Sequence, residues 1–157
     1  MEDIKLIYDD NLMEFDISFE DGDLIRENGI ETSAIISIFS DARVSSEDTD
    51  ESITDFRGWW GDLIDPDKSL IGSKLWLMNR AKTTTETLSL AKQYITDSLE
   101  WMKKDGVCAK ISVDVERQEK TDGDILAFLV KIIKIDGSIV SIKFNDLWES
   151  QINFSSR

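Results

Sequence analysis

The chain has no histidine among its 157 residues. That removes the Ser-His-Asp and Cys-His nucleophile systems, and any zinc site would have to be built almost wholly from carboxylates. Acid is abundant instead: 32 Asp and Glu face 18 Lys and Arg, for a net charge of −14. Pairs such as Asp62 with Asp65 or Glu116 with Glu119 are the residue types that a two-carboxylate glycoside hydrolase uses. In so acidic a chain such pairs also arise by chance, and these two read as surface charge. No phosphate-cradling or dinucleotide glycine motif is present. The single Cys108 excludes an internal disulfide, and its place in an alternating run reads as a small strand residue rather than a nucleophile. Neither a metal nor a cofactor is expected, and the residues argue against an enzyme.

Recognition chemistry is better represented. Phe56-Arg57-Gly58-Trp59-Trp60-Gly61-Asp62, followed ten residues on by Gly72-Ser73-Lys74-Leu75-Trp76, holds three of the five tryptophans. Adjacent side chains on a helix or strand diverge to different faces, so Trp59 and Trp60 cannot both enter one core from such an element. One ring of the pair is a candidate anchor for something outside the domain. Burying ~200 Å² of indole at ~25 cal/mol/Å² is worth up to ~5 kcal/mol before ordering costs. The glycines equally permit a tight loop that folds both rings back onto the protein, and the residues alone leave the two readings open.

Charge sets a further bound. Binding a nucleic-acid backbone requires clustered Lys and Arg, which a net −14 does not supply. The densest acidic tract, Glu47-Asp48-Thr49-Asp50-Glu51 with Asp41 and Asp55 beside it, reads as a solvated loop, or as a patch that steers a basic partner. No apolar run approaches the ~20 residues that span a bilayer, and Met1-Glu2-Asp3-Ile4 lacks the basic start of a signal peptide. No membrane partner is expected, and synthesis and assembly are expected in the cytoplasm.

The elements that must position these residues follow from periodicity. Ile4 to Tyr8 and Met13 to Phe19 read as a hairpin about Asp9-Asp10-Asn11, followed by a short extended piece at Leu24 to Arg26. A first helix is expected from about Ile30 to Ser40, with Ile30, Ala34, Ile35 and Ile38 on its apolar face. Lys74 to Asn79 reads as a helical turn. Thr83-Thr84-Thr85-Glu86 fits a capping box, and Leu88, Ala91, Ile95, Leu99 and Met102 then recur at helical spacing until Asp105-Gly106. From Val107 the period becomes two, with Val107, Ala109, Ile111, Val113 and Val115 on one face. Turns at Thr121 to Asp124 and Asp136-Gly137 define a central strand, Ile125 to Ile135, apolar on both faces at Leu126 to Val130, and a last strand to Phe144. The expected fold is α+β: an antiparallel β meander packed against a long helix and a shorter one, with an N-terminal β-hairpin. One domain is expected over 1–157, divided into a hairpin and extended segment (1–27), a core (28–144) and a C-terminal tail (145–157). The tail carries Leu147, Trp148, Ile152 and Phe154, which pack on the domain or dock on a neighbour.

These residues also carry a resemblance. Glu31 to Phe39 with Asp41 and Arg43, the Arg57 to Asp62 loop, Gly72 to Leu77, and Leu99-Glu100-Trp101 with Asp105-Gly106-Val107, in this order, resemble the baseplate protein family of Mu-like contractile-tailed phages. That family is similar in turn to the wedge family, once labelled lysozymes, of phage baseplates and type VI secretion systems. The likeness runs from about Glu31 to about Phe144. One departure is the acidic insert Val44 to Thr54, where the wider family often has a short Pro-Gly-Glu-Arg type element. The resemblance implies a structural subunit of a tail baseplate, present in six copies, that meets other baseplate, hub, tube and sheath proteins and helps initiate the sheath. Candidate interaction residues are Arg57, Gly58, Trp59, Trp60, Gly61, Asp62 and Trp76, with Ile139, Ile142 and Phe144 on the last strand and Leu147, Trp148 and Phe154 in the tail. The old lysozyme label gives the alternative, a small peptidoglycan hydrolase using paired carboxylates.

Overall fold

A computed structural model describes residues 3–9, 14–27, 29–45, 56–64, 71–78, 84–120 and 123–144. The tract Glu47 to Glu51, Asp65 and the tail residues Leu147, Trp148, Ile152 and Phe154 lie outside these segments.

The N-terminal segment forms more than the expected hairpin. Strand β1 (Asp3–Ile4), β2 (Leu6–Asp9), β3 (Glu14–Ile17), β4 (Phe19–Glu20), β5 (Asp23–Leu24) and β6 (Arg26–Glu27) make three antiparallel pairs, β1 with β6, β2 with β3 and β4 with β5. The pairs meet at Lys5, Ser18 and Ile25. There the Lys5 N–H donates to Ile25 O (2.9 Å), Ser18 N–H to Lys5 O (3.2 Å) and Ile25 N–H to Ser18 O (2.9 Å). All three backbone groups are thereby used at a junction where no strand continues. Asp21 and Gly22, both at positive φ, turn the β4–β5 arm.

Helix α1 (Ile30–Phe39) begins at Gly29, which has no side chain to cap it. Glu27 supplies the missing acceptor, its Oε1 taking the Thr32 N–H at 2.8 Å. The buried Thr32 hydroxyl accepts from Leu6 N–H and donates to Ile4 O, both at 3.1 Å, and so ties the helix to the N-terminal arm. Helix α2 (Thr85–Lys104) is capped by Thr84, whose hydroxyl takes the Thr87 N–H at 3.2 Å. The cap thus falls one residue later than a box read from Thr83. Glu86 becomes the second helical residue, where its charge suits the helix dipole rather than reaching back to a cap. Gly106, at φ 71, ends the helix as expected, and Val107 N–H closes on Met102 O at 2.8 Å.

Strands β7 (Cys108–Lys120), β8 (Gly123–Lys134) and β9 (Ile139–Phe144) form the expected meander with β8 central. Rows Val113–Val130–Ile142 and Val115–Phe128–Phe144 share its core face. Ala91, Ile95, Leu99 and Met102 of α2 and Ala34, Ile35 and Ile38 of α1 pack against that face in one cluster. Phe15, on β3, brings the N-terminal arm to the same core, its ring 4.7 Å from Phe39 and 6.0 Å from Phe144.

Two local expectations are corrected. A bulge at the start of β7 pairs Cys108 with Lys134 and Lys110 with Ile133, leaving Ala109 as the extra residue. The alternation therefore flips: Cys108 is buried and Ala109 exposed. At the other end, Gly137 adopts φ 83, and Lys134 N–H bonds to Ser138 O at 2.9 Å. The β8–β9 turn thus spans three residues, with glycine in the left-handed place, instead of a two-residue primed turn.

Candidate protein-docking surface

Three loops, 40–45, 56–64 and 71–78, form a platform beside the C-terminus of α1. Ser73 N–H donates to Ser40 O and Ala42 N–H to Ser73 O, each at 2.9 Å. This approach is possible because residue 72 is glycine: at φ +105, a Cβ there would lie 2.5 Å from Ser40 O and 2.8 Å from Ala42 N. The buried Ser73 hydroxyl donates to Ile38 O at 2.6 Å and accepts Leu75 N–H at 3.3 Å. One side chain thus satisfies the end of α1 and the start of the 3-10 turn Leu75–Met78.

Trp76 sits inside this platform. Its indole N–H donates to Ala42 O at 3.0 Å, and the Arg57 guanidinium carbon lies 4.6 Å from its ring centroid. Arg57 also bonds Asp41 Oδ2 at 2.6 Å. The Arg57 backbone is strained, at φ 45, and Gly58 beside it packs so closely on Arg43 that a Cβ would fall 2.5 Å from the Arg43 Cβ.

From this base projects the 3-10 turn Trp60–Leu63. The Trp59 ring folds over Gly61, where a Cβ would come within 2.1 Å of it. The Trp59 and Trp60 centroids are 5.3 Å apart with planes at 47°. Trp59 remains 46% exposed, Trp60 68% and Ile64 72%. Neither ring of the pair is a core residue. Asp62, inside the turn, donates its N–H to Trp59 O at 3.1 Å and is only 9% exposed. Its Oδ1 receives the Ile71 N–H at 3.4 Å, and its Oδ2 has no hydrogen-bond partner.

The structure thus separates the candidate residues into two groups. Trp76 (7% exposed), Ile142 (4%) and Phe144 (2%) are buried within the protein and offer no free surface. Arg57, Gly58, Gly61 and Asp62 shape the platform and the turn. Trp59 and Trp60 are presented outward, and Ile139 is exposed at the far end of β9. Leu147, Trp148 and Phe154 lie outside the described residues. Ile64, next to the indoles, and Ile135, near Ile139 in chain order, are exposed apolar residues that periodicity did not single out. The signal for Ile64 was the apolar pair Leu63-Ile64 ahead of Asp65-Pro66.

The groups considered for chemistry are placed as follows. Cys108 is buried, and that burial pushes its thiol above the ordinary value, away from the thiolate a nucleophile needs. Glu116 is exposed and accepts a hydrogen bond from Gln118 at 2.8 Å. A groove of about 510 Å³ runs between α2 and the platform, lined by Arg43, Lys74, Tyr94, Trp101, Asp97 and Glu100 among others. Glu100 there pairs with Lys103. Among the described residues no group of three or more Cys, Asp or Glu is arranged to hold a metal ion, and no helix is long and apolar enough to cross a membrane.

Residues 30–139 match the phage protein GP46 family. The chain belongs to that family. It is 35% identical to the baseplate protein gp46 of Escherichia phage Mu over 130 residues, which cover 82% of this chain and 86% of that protein. Over 148 residues it is 30% identical to the Mu-like prophage FluMu protein gp46 of Haemophilus influenzae, covering 94% and 98%. The family match spans α1 to the start of β9 and takes in the whole platform and the Trp59–Trp60 turn. The Mu-like resemblance carried by Glu31 to Phe144 is the same relationship.

Proposed function

We propose that this chain is a structural subunit of a phage tail baseplate and that it docks on its neighbours through the Trp59–Trp60 turn. The observation that carries the reading is a pair of half or more exposed indoles held on a base of buried hydrogen bonds, in a relative of a phage Mu protein named for the baseplate. Large exposed aromatic surface is a liability on a free monomer and the commonest kind of anchor in an interface. The loops beneath fix the turn in place, so little freedom remains to be lost on docking.

At finer grain the subunit is a wedge component near the hub and tube, in six copies, that helps initiate the contractile sheath and resides in the virion tail. The family resemblance supports this placement. Ile139 on the outermost strand of the meander gives a second contact, where a neighbour's strand can add main-chain hydrogen bonds. The test is a phage lacking this gene, imaged by electron microscopy. The expected result is incomplete or unsheathed tails, and complete contractile tails would overturn the reading. Peptidoglycan turnover by the purified chain, lost on substituting Asp62, would instead establish the hydrolase alternative.

A further inference from the structure

Asp62 is a charged group in an unusual position. It is nine-tenths buried, its one hydrogen bond is long, and Oδ2 has no donor at all. A carboxylate taken from water without compensating donors is costly, and buried charges are ordinarily paired. The guanidinium on the same loop, Arg57, is engaged with Asp41 and the Trp76 ring. The free chain therefore holds an acceptor in want of a donor, within the turn that bears the exposed indoles.

The surroundings specify the missing donor. Trp59 and Trp60 present aromatic faces with negative potential, and Ile64 and Ile71 add apolar surface. A cation on an apolar stem suits both. Arginine meets these demands best, since its planar head stacks on an indole while its N–H groups reach a carboxylate. The net charge of −14 favours a basic visitor at longer range. Building on the docking role proposed above, we infer that Trp59, Trp60 and Asp62 form a socket for an arginine side chain of a neighbouring baseplate protein, whose guanidinium donates to Asp62 Oδ2. The interface thereby supplies a hydrogen bond that the isolated fold leaves open. Asp62 selects the partner's charge, and the indoles supply the contact area.

The test uses the full chain in assembled phage. A photo-crosslinking phenylalanine analogue at exposed Ile64 identifies the neighbouring segment by mass spectrometry, and that purified neighbour is then titrated against wild type and Asp62→Asn. The expected result is a crosslinked segment containing arginine and an Asp62→Asn chain that binds it at least ~30-fold more weakly. Replacing that arginine by alanine should then add little to the Asp62→Asn loss. The free Asp62→Asn chain should melt at the wild-type temperature or above, because it has lost an unpartnered charge. Unchanged affinity for an identified neighbour would sink the socket while leaving the docking surface standing. No crosslink to any baseplate protein would remove the docking surface and the socket together. A clear fall in melting temperature would make the carboxylate structural and overturn the inference.

Discussion

Two tryptophans drawn from the same run of sequence should respond in opposite ways to truncation. Trp76 is 7% exposed, holds Ala42 O through its indole N–H and lies under Arg57. Trp76→Ala opens a cavity, strands a carbonyl and removes the ring beneath a guanidinium, which together cost about 4 kcal/mol. For a domain of this size that lowers the melting temperature by roughly 8–16 °C. Trp60 is 68% exposed. Of about 250 Å² of indole surface it buries about 80 Å², worth at most about 2 kcal/mol to the free chain. The remaining exposed area, about 170 Å², is worth up to about 4 kcal/mol to an interface, or roughly a thousandfold in affinity before ordering costs. Trp60→Ala should therefore melt within a few degrees of wild type and fail to enter baseplates. Thermal melts followed by circular dichroism, paired with complementation of a deletion phage, read both quantities. If Trp60→Ala melts as low as Trp76→Ala, or restores full phage titre, the division between platform and anchor is wrong.

Other consequences are local. Ser73→Ala leaves Ile38 O and Leu75 N–H without their buried partner and should destabilise by about 2 kcal/mol, read as a lower urea midpoint at unchanged slope. Thr84→Ala removes the α2 cap and should cost about 1 kcal/mol. Glu86→Ala should cost only a few tenths, its role being limited to the helix dipole, and an equal loss would restore the earlier-starting capping box. Burial raises the Cys108 thiol above its usual 9.0, with Lys103 opposing and Glu100 adding to the rise. Its contribution is therefore complete below the unfolded thiol's pKa and declines as pH climbs past about 9 toward the folded value. Cys108→Ala should flatten the fall in melting temperature between pH 8 and 10, and parallel curves would contradict the burial argument.

Much of the fold was legible because its signals are local. The 3.6-residue recurrence from Leu88 to Met102 and the apolar run Leu126 to Val130 each depend on one element meeting one core, and both elements lie where the pattern put them. The bulge at Ala109 was not legible. A single extra residue leaves the alternation of types intact while reversing which residues face inward, so Cys108 looked like a member of the polar face. The three-armed N-terminal junction was hidden for another reason: Lys5, Ser18 and Ile25 meet only through backbone groups, which every residue type carries.

The candidate site shows the same limit at longer range. Gly58 and Gly72 suggested freedom in the connector, yet each is glycine because another loop's backbone lies against it, Arg43 in one case and Ser40 with Ala42 in the other. Glycine at close approach and glycine at a hinge look alike in one chain, although they imply opposite mechanics. Here close packing removes slack from the loops, and Trp76 and Ser73 lock them further through bonds to Ala42 and Ile38. The motif therefore divides its labour. Most of its residues are spent inward on making the turn rigid, and that rigidity is what lets Trp59 and Trp60 be held in water, already oriented, with an unpartnered carboxylate between the turn and Ile71. A flexible loop would bury its indoles against the nearest apolar surface and let Asp62 turn out to solvent. That this one does neither is the physical reason to read the surface as made for a partner.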